Sequence, residues 1–181
     1  RDSLQQRYRD LASFGLVPML EIDGLRLQQS LAIIEYLEER NPDPPLLPSE
    51  RSQRARARAL AQLVACEIHP LNNLRVLKRL RGSLRADDAQ VADWYRHWCH
   101  EGFQALESAL EPFEAGPFAL GAQPSIVECC LIPQIYNARR YEVPMAAYPR
   151  ILAIAATCDG LAAFDAARPE RQPDAPTSSP S

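Results

Sequence analysis

The run Val17-Pro18-Met19-Leu20-Glu21-Ile22-Asp23-Gly24, with Gln28-Gln29-Ser30-Leu31-Ala32-Ile33-Ile34-Glu35-Tyr36-Leu37 close behind, constrains the fold more than any other part of the chain. It predicts a hairpin over 17–28 and then a helix over 30–40 with Leu31, Ile34 and Leu37 facing inward. Asp23-Gly24 suits a type I′ turn, which needs positive φ at both central residues. Ser30 is placed to N-cap the helix. Pro18 cannot donate to a strand ladder, so its place before a strand points to special backbone, cis included. The result is a sheet edge beside a helix N-terminus. Free N–H groups and the helix dipole favour a carboxylate there, so this corner can hold a small peptide by its backbone and its carboxylate. The Gln29 amide and Ser30 hydroxyl can add hydrogen bonds, or serve only as an ordinary cap.

Before the hairpin, Leu4, Tyr8, Leu11 and Phe14 recur at helical spacing and predict a short helix ending at Gly15. After it, residues 41–48 hold four prolines and read as a linker. The rest is helical in pattern. Ser49 or Ser52 opens a helix to about Cys66, and Pro70 interrupts. Leu71, Leu74, Leu77, Leu80 and Leu84 continue an amphipathic stripe. Asp87-Asp88 starts a long helix carrying Val91, Trp94, Tyr95, Trp98, Leu106 and Leu110, closed by Pro112 and Gly116-Pro117. Ser125-Ile126-Val127-Glu128 is a capping box before the apolar run 129–136, which predicts a central buried helix kinked at Pro133. Pro149 and Gly160 bracket a further helix. The chain therefore reads as a partial α/β unit (1–40), a proline-rich linker (41–48), an all-α domain (49–168) and an extended or disordered tail (169–181).

Bulk properties exclude several functions. Net charge is −3 in 181 residues, which argues against a general preference for nucleic acid or anionic membrane. The basic stretches Arg51, Arg54, Arg56, Arg58 and Lys78, Arg79, Arg81, Arg85 lack interleaved aromatics and read as solvated helix faces. No apolar run is long enough to span a membrane. The start, Arg1-Asp2-Ser3-Leu4, has no secretory h-region and no initiator Met, so the chain reads as a fragment. Five cysteines without a CxxC pair are expected to be free thiols in a reducing cytosol. His97, Cys99 and His100 lack a fourth ligand, so no metal site is expected.

Two further segments carry chemistry. In Ile68-His69-Pro70-Leu71-Asn72-Asn73-Leu74-Arg75-Val76-Leu77, two Asn within a helical pattern are disfavoured by propensity and suggest a polar groove. His69, at the helix break, can donate to a ligand or make a structural hydrogen bond. In Pro133-Gln134-Ile135-Tyr136-Asn137-Ala138-Arg139-Arg140-Tyr141, two Arg end a buried helix. Their forks suit a carboxylate; their charge also suits the helix C-terminus.

With these residues in hand the chain resembles the zeta-class glutathione transferases, the family of maleylacetoacetate isomerase and the maleylpyruvate isomerases. The matching pieces are Val17-Pro18 with Ile22-Asp23-Gly24, the run from Gln29 to Leu37, Pro45-Leu46-Leu47-Pro48, 68–77, 133–141, Tyr148-Pro149 and Arg171-Gln172-Pro173-Asp174. The resemblance implies a glutathione transferase fold: a partial thioredoxin-like N-terminal domain, then a helical domain. It implies glutathione as cofactor, held at Val17, cis-Pro18, Gln29 and Ser30, with His69, Asn73, Leu74 and Arg75 lining the site or its rim. Arg140 matches an arginine that holds a substrate carboxylate, with Arg75 a second candidate for anion stabilisation. Glu128 stands where the family's capping box usually has Asp, and its longer side chain can still close the box. The family's Ser-Ser-Cys-type thiol-activating motif is missing. Ser3 falls near a glutathione-contacting position but is no activator.

The implied reaction is cis-trans isomerisation of a maleyl keto acid, in which a glutathione thiolate adds, the former double bond rotates and the thiolate leaves. The implied protein is a cytoplasmic homodimer. Two rivals stand beside this reading. A detoxifying transferase would keep the thioether in an apolar pocket without a carboxylate-pairing Arg. A catalytically incomplete binding fragment would keep the shape without the activator, and would expose a sheet edge.

Overall fold

A computed structural model describes residues 6–12, 14–110 and 116–175, and the side chain of Arg7 is not among what it describes. Leu4, Ser3, Pro112 and residues 176–181 of the expected tail lie outside the described residues. The chain divides into two compact units, 1–47 and 48–181.

The first unit contains α1 (Gln6–Leu11), β1 (Met19–Ile22), β2 (Leu25–Gln28) and α2 (Ser30–Arg40). β1 and β2 pair antiparallel, with Met19 opposite Gln28 and Ile22 opposite Leu25. Asp23 (φ 51°) and Gly24 (φ 75°) make the expected turn with both φ positive. Asp23 also ties the turn to α2: its carboxylate accepts from Tyr36 Oη at 2.8 Å and pairs with Arg40 Nε at 2.9 Å. The apolar spacing of α1 does not bury its stripe, since Leu11 and Phe14 are 37% and 75% exposed. In α2 the buried positions are Ile33 and Glu38, while Leu31, Ile34 and Leu37 are half-buried. Glu38 is buried because the prolines that follow leave main-chain amides to satisfy. Its carboxylate accepts from Leu46 N at 2.8 Å and Leu47 N at 3.1 Å.

The second unit is helical: α3 (Arg51–Gln62), a π-helical stretch (Leu63–Ile68), α4 (Leu74–Ser83), α5 (Asp88–Leu110), α6 (Ile126–Arg140), α7 (Pro149–Asp159) and α8 (Ala162–Ala166). α6 packs on α3, on the π-helical stretch and on α7, and α5 packs on the π-helical stretch, α4 and α7. One core results, with Val91, Cys99, Phe103, Leu106, Val127, Leu131 and Ile151 fully buried. α6 runs unbroken through Pro133, which sits on its exposed side. The leucine stripe around α4 is only partly used: Leu77 and Leu80 are buried, but Leu74 and Leu84 are 59% and 67% exposed.

Caps differ from expectation at α3 and match it at α6. Glu50, not Ser49 or Ser52, caps α3 by accepting from Ser52 N and Gln53 N. At α5 the main-chain amide and side chain of Asp87 exchange hydrogen bonds with Gln90. At α6, Ser125 Oγ accepts from Val127 N, and Glu128 accepts from Ser125 N and Ser125 Oγ, each at 2.7 Å. The other Glu128 oxygen accepts from Ala119 N at 2.6 Å. The tail is not fully extended. Residues Pro169–Arg171 form a 3-10 turn, because Arg168 and Arg171 both pair with Asp165 and Glu170 accepts from Tyr136 Oη.

Two substitutions test this architecture. Glu128→Ala should cost about 3 kcal/mol in urea unfolding, a lost cap plus orphaned buried N–H groups; a loss below about 1 kcal/mol would show that water replaces the carboxylate. A Cβ on Gly102 would lie 2.1 Å from Ile68 Cγ1. Gly102→Ala should therefore destabilise by about 1–3 kcal/mol through overpacking, read from the same unfolding curves.

Candidate functional site

In the first unit the candidate residues sit where β1 begins and α2 begins. The Val17-Pro18 peptide bond is cis, and Val17 is 70% exposed. α2 starts at Ser30, so its N-cap is Gln29 rather than Ser30. The correction has a backbone cause. Gln29 takes φ 75° and ψ 115°, a region that non-glycine residues avoid, and the chain turns into the helix one residue earlier than a serine cap would allow. Such strain costs on the order of 1–3 kcal/mol and clusters at functional sites. Gln29 makes no side-chain capping bond, and both Gln29 and Ser30 are exposed. Their amide and hydroxyl stand at the positive end of α2 with no side-chain partner among the described residues.

In the second unit the segment 69–75 follows the π-helical stretch. The π turn is closed by His69 N donating to Val64 O at 3.0 Å. One added residue per turn rotates the chain just before His69, and such turns are frequent at functional sites. His69 keeps solvent exposure, yet the protein around its imidazole pushes the pKa below the usual histidine value by desolvation. The two asparagines are not inside a helix. Asn73 is the N-cap of α4, its Oδ1 accepting from Arg75 N at 3.1 Å, and Asn72 is buried in the turn before it. Asn is disfavoured in helix interiors for the reason it is favoured here: its side chain competes for backbone amides. Leu74 and Arg75 are exposed on the first turn of α4.

Arg139 and Arg140 fill the last turn of α6, both exposed. Arg140 has no ion-pair partner among the described residues. The helix ends there because Glu142 adopts φ 55° and Val143 N returns to Ala138 O. Tyr141, the C-cap, stacks on Tyr95 with ring centroids 3.7 Å apart.

Thiol chemistry is suppressed where the cysteines are buried. Burial holds the Cys99, Cys130 and Cys158 thiols up at about 12, so they remain protonated at neutral pH and are poor nucleophiles. The described residues contain no group of His, Cys, Asp and Glu arranged to hold a metal, and no helix long and apolar enough to cross a membrane. The sequence marks Asn72 only as one of two asparagines in a helical pattern and assigns no role to Tyr95, Gln134 or Tyr141; Asn72, Tyr95 and Gln134 are buried, and Tyr141 is half-buried. Helical spacing marks them as core, and only the polar types of Asn72 and Gln134 set them apart.

His69 gives a pH prediction. Its folded pKa lies below the unfolded value, so the unfolded chain binds the extra proton between the two. Its contribution is complete above about 6.5 and falls as pH drops toward the folded pKa. The thermal midpoint of the wild type should fall more between pH 7 and 5.5 than that of His69→Gln; identical slopes would remove His69 from the balance.

Residues 1–45 match the family of glutathione S-transferase N-terminal domains, and residues 88–156 match the C-terminal domain family. A probable maleylacetoacetate isomerase of Vibrio cholerae is 48% identical over 161 residues, 88% of this chain and 74% of the relative. A holo structure of maleyl pyruvate isomerase, described as a bacterial zeta-class glutathione S-transferase, superposes with TM-score 0.92 at 42% identity, covering 97% of this chain and 83% of its own. A maleylacetoacetate isomerase of Anaeromyxobacter dehalogenans, solved with dicarboxyethyl glutathione and citrate in its active site, superposes with TM-score 0.85 at 41% identity, covering 98% and 81%. With both domain families matched in order and this identity over most of the chain, the protein belongs to the zeta-class glutathione transferase and maleylacetoacetate isomerase family.

Proposed function

We propose that this chain catalyses glutathione-dependent cis-trans isomerisation of a maleyl keto acid. Supporting this are the relatives' activities and one feature of the chain itself. Arg140 is an exposed guanidinium, without an ion-pair partner among the described residues, at the end of a buried helix. A planar fork in that state suits a bidentate substrate carboxylate. A detoxifying transferase with an apolar pocket has no use for it.

The residues present fit the cofactor. Gln29 and Ser30 offer uncommitted polar groups at a helix N-terminus, which suits the γ-glutamyl carboxylate. Exposed Val17, before cis-Pro18, suits the cysteinyl backbone. In the helical unit we assign His69, Asn73, Leu74 and Arg75 to glutathione binding. His69, with its lowered pKa, is neutral at pH 7 and can either donate or accept. Asn73 is committed through Oδ1 to the α4 cap, which leaves its Nδ2 for a ligand. When bound, glutathione supplies the nucleophilic thiolate and takes it back as leaving group. Arg140 anchors the substrate so that rotation occurs about the former double bond and not about the whole molecule. Its charge, with that of Arg75, offsets the negative charge that develops on the keto oxygen. No thiol-activating group is assigned within this chain. The same reading takes 1–40 as part of the glutathione-binding domain, 41–48 as its linker and 49–168 as the helical domain. It places the protein in the cytoplasm as a homodimer.

Arg140→Ala should lower kcat/KM for maleylacetoacetate or maleylpyruvate by roughly 10- to 100-fold, the loss of a charge-assisted hydrogen bond. Glutathione addition to a neutral aryl halide should be unchanged, and Arg140→Lys should recover only part of the isomerase loss. Equal losses on both substrates would favour a structural role for Arg140. A wild-type chain that conjugates aryl halides and isomerises neither keto acid would favour the detoxifying transferase.

A further inference from the structure

Within the second unit a buried polar cluster connects segment 69–75 to the Arg140 end of α6. Asn72 Nδ2 donates to Tyr95 O at 3.4 Å and to Cys99 Sγ at 3.3 Å. From the other side, Gln134 Nε2 donates to the same sulfur at 3.6 Å. The orientation of the Asn72 amide follows from chemistry, since a main-chain carbonyl can only accept. One residue earlier, Leu71 O accepts from Trp94 Nε1 at 2.9 Å. The turn carrying the candidate cofactor residues thus hangs from α5 by several bonds, and Cys99 joins it to α6. A second route runs through Tyr95, whose ring stacks on Tyr141, the residue directly after Arg140.

These groups are fully interior. Cys99 is 0%, Gln134 2%, Tyr95 3% and Asn72 7% exposed. Asn72 Oδ1 is buried with no partner among the described residues. Two primary amides and a thiol acceptor are a costly way to fill a core that Leu and Met would fill more stably. What directional bonds provide that apolar packing does not is a fixed orientation. Asn72 lies between His69 and Asn73, and Gln134 lies on α6 less than two turns before Arg140.

We propose that Asn72, Cys99 and Gln134, with the Tyr95–Tyr141 stack, are positioning residues that hold segment 69–75 and Arg140 at a fixed spacing, so that cofactor and substrate carboxylate are presented in register. This rests on the function proposed above. Cys99 is the hub and a structural acceptor, not a nucleophile.

The test compares Cys99→Ser, which keeps an acceptor, with Cys99→Val, which fills the space without one. Cys99→Val should raise amide exchange rates about fivefold both in residues 69–75 and in 139–143, the factor expected for one net hydrogen bond. It should also lower kcat about tenfold with smaller changes in KM for glutathione. Cys99→Ser should restore exchange and kcat to near wild type. If Cys99→Val does not fold, Asn72→Leu and Gln134→Met read the same coupling at the far end: Asn72→Leu should speed exchange in 139–143, and Gln134→Met in 69–75. Serine and valine variants that behave alike, or far-end exchange that stays at wild-type rates, would overturn the network. A wild-type chain without isomerase activity but with coupled exchange would overturn the function and leave the network standing.

Discussion

The helical unit depends on one buried carboxylate. Glu128 is fully enclosed at the N-terminus of α6 and accepts from Ser125 N, Ser125 Oγ and Ala119 N. A charge in that position is tolerable because main-chain and hydroxyl donors replace its water and because the helix dipole favours it. It acts in two places at once. One oxygen closes the capping box and sets where α6 begins; the other fixes the loop that crosses it at Ala119. α6 is the helix against which α3, the π-helical stretch and α7 pack, so its starting point sets the register of the core and the height at which Arg140 emerges.

The same device recurs. Glu107, 8% exposed, accepts from Arg150 N and Ile151 N and so caps α7 from across the α5–α7 contact. Glu38 does likewise for Leu46 and Leu47 in the first unit. In each case the amides lack partners for a local reason: a helix start leaves its first N–H groups unpaired, and a proline-rich segment has no ladder to join. Carboxylates that look like surface charge in the sequence are the connectors between elements, and apolar packing fills the space they define.

What could be read from the sequence was what local chemistry determines. Asp23-Gly24 forces its turn whatever surrounds it, and Ser125 with Glu128 forms a cap within four residues. Pro149 and Gly160 delimit α7 for similarly local reasons. What could not be read depends on tertiary context. The π turn before His69 ends at Ile68, whose side chain lies against Gly102 of α5, a contact between residues far apart in sequence. Gln29 carries positive φ against its own preference, so no residue-type rule would place it there. Asn72 and Asn73 were visible as anomalies in a helical pattern, but their separate roles follow from a helix boundary that falls between Asn73 and Leu74. The apolar spacing of α1 and the outer leucines of α4 predicted burial that the described residues do not supply.

Candidate site residues separate by how far their polar groups are already committed. Gln29, Ser30 and Arg140 have side chains without partners among the described residues, while the amide nitrogens of Asn72 and Gln134 are committed to Cys99 Sγ in the interior. That division is what binding chemistry requires. A group that must hold a ligand loses less if it has no internal bond to break, yet an uncommitted long side chain pays rotamer entropy on binding. The cost falls when the main chain beneath it cannot move. Gln29 is fixed by a strained backbone and a helix start, and Arg140 by the last turn of a buried helix whose end is stacked on Tyr95 through Tyr141. Rigid main chain under free side chain is the arrangement that preorganises a site without closing it, and in the helical unit it originates in the carboxylate of Glu128.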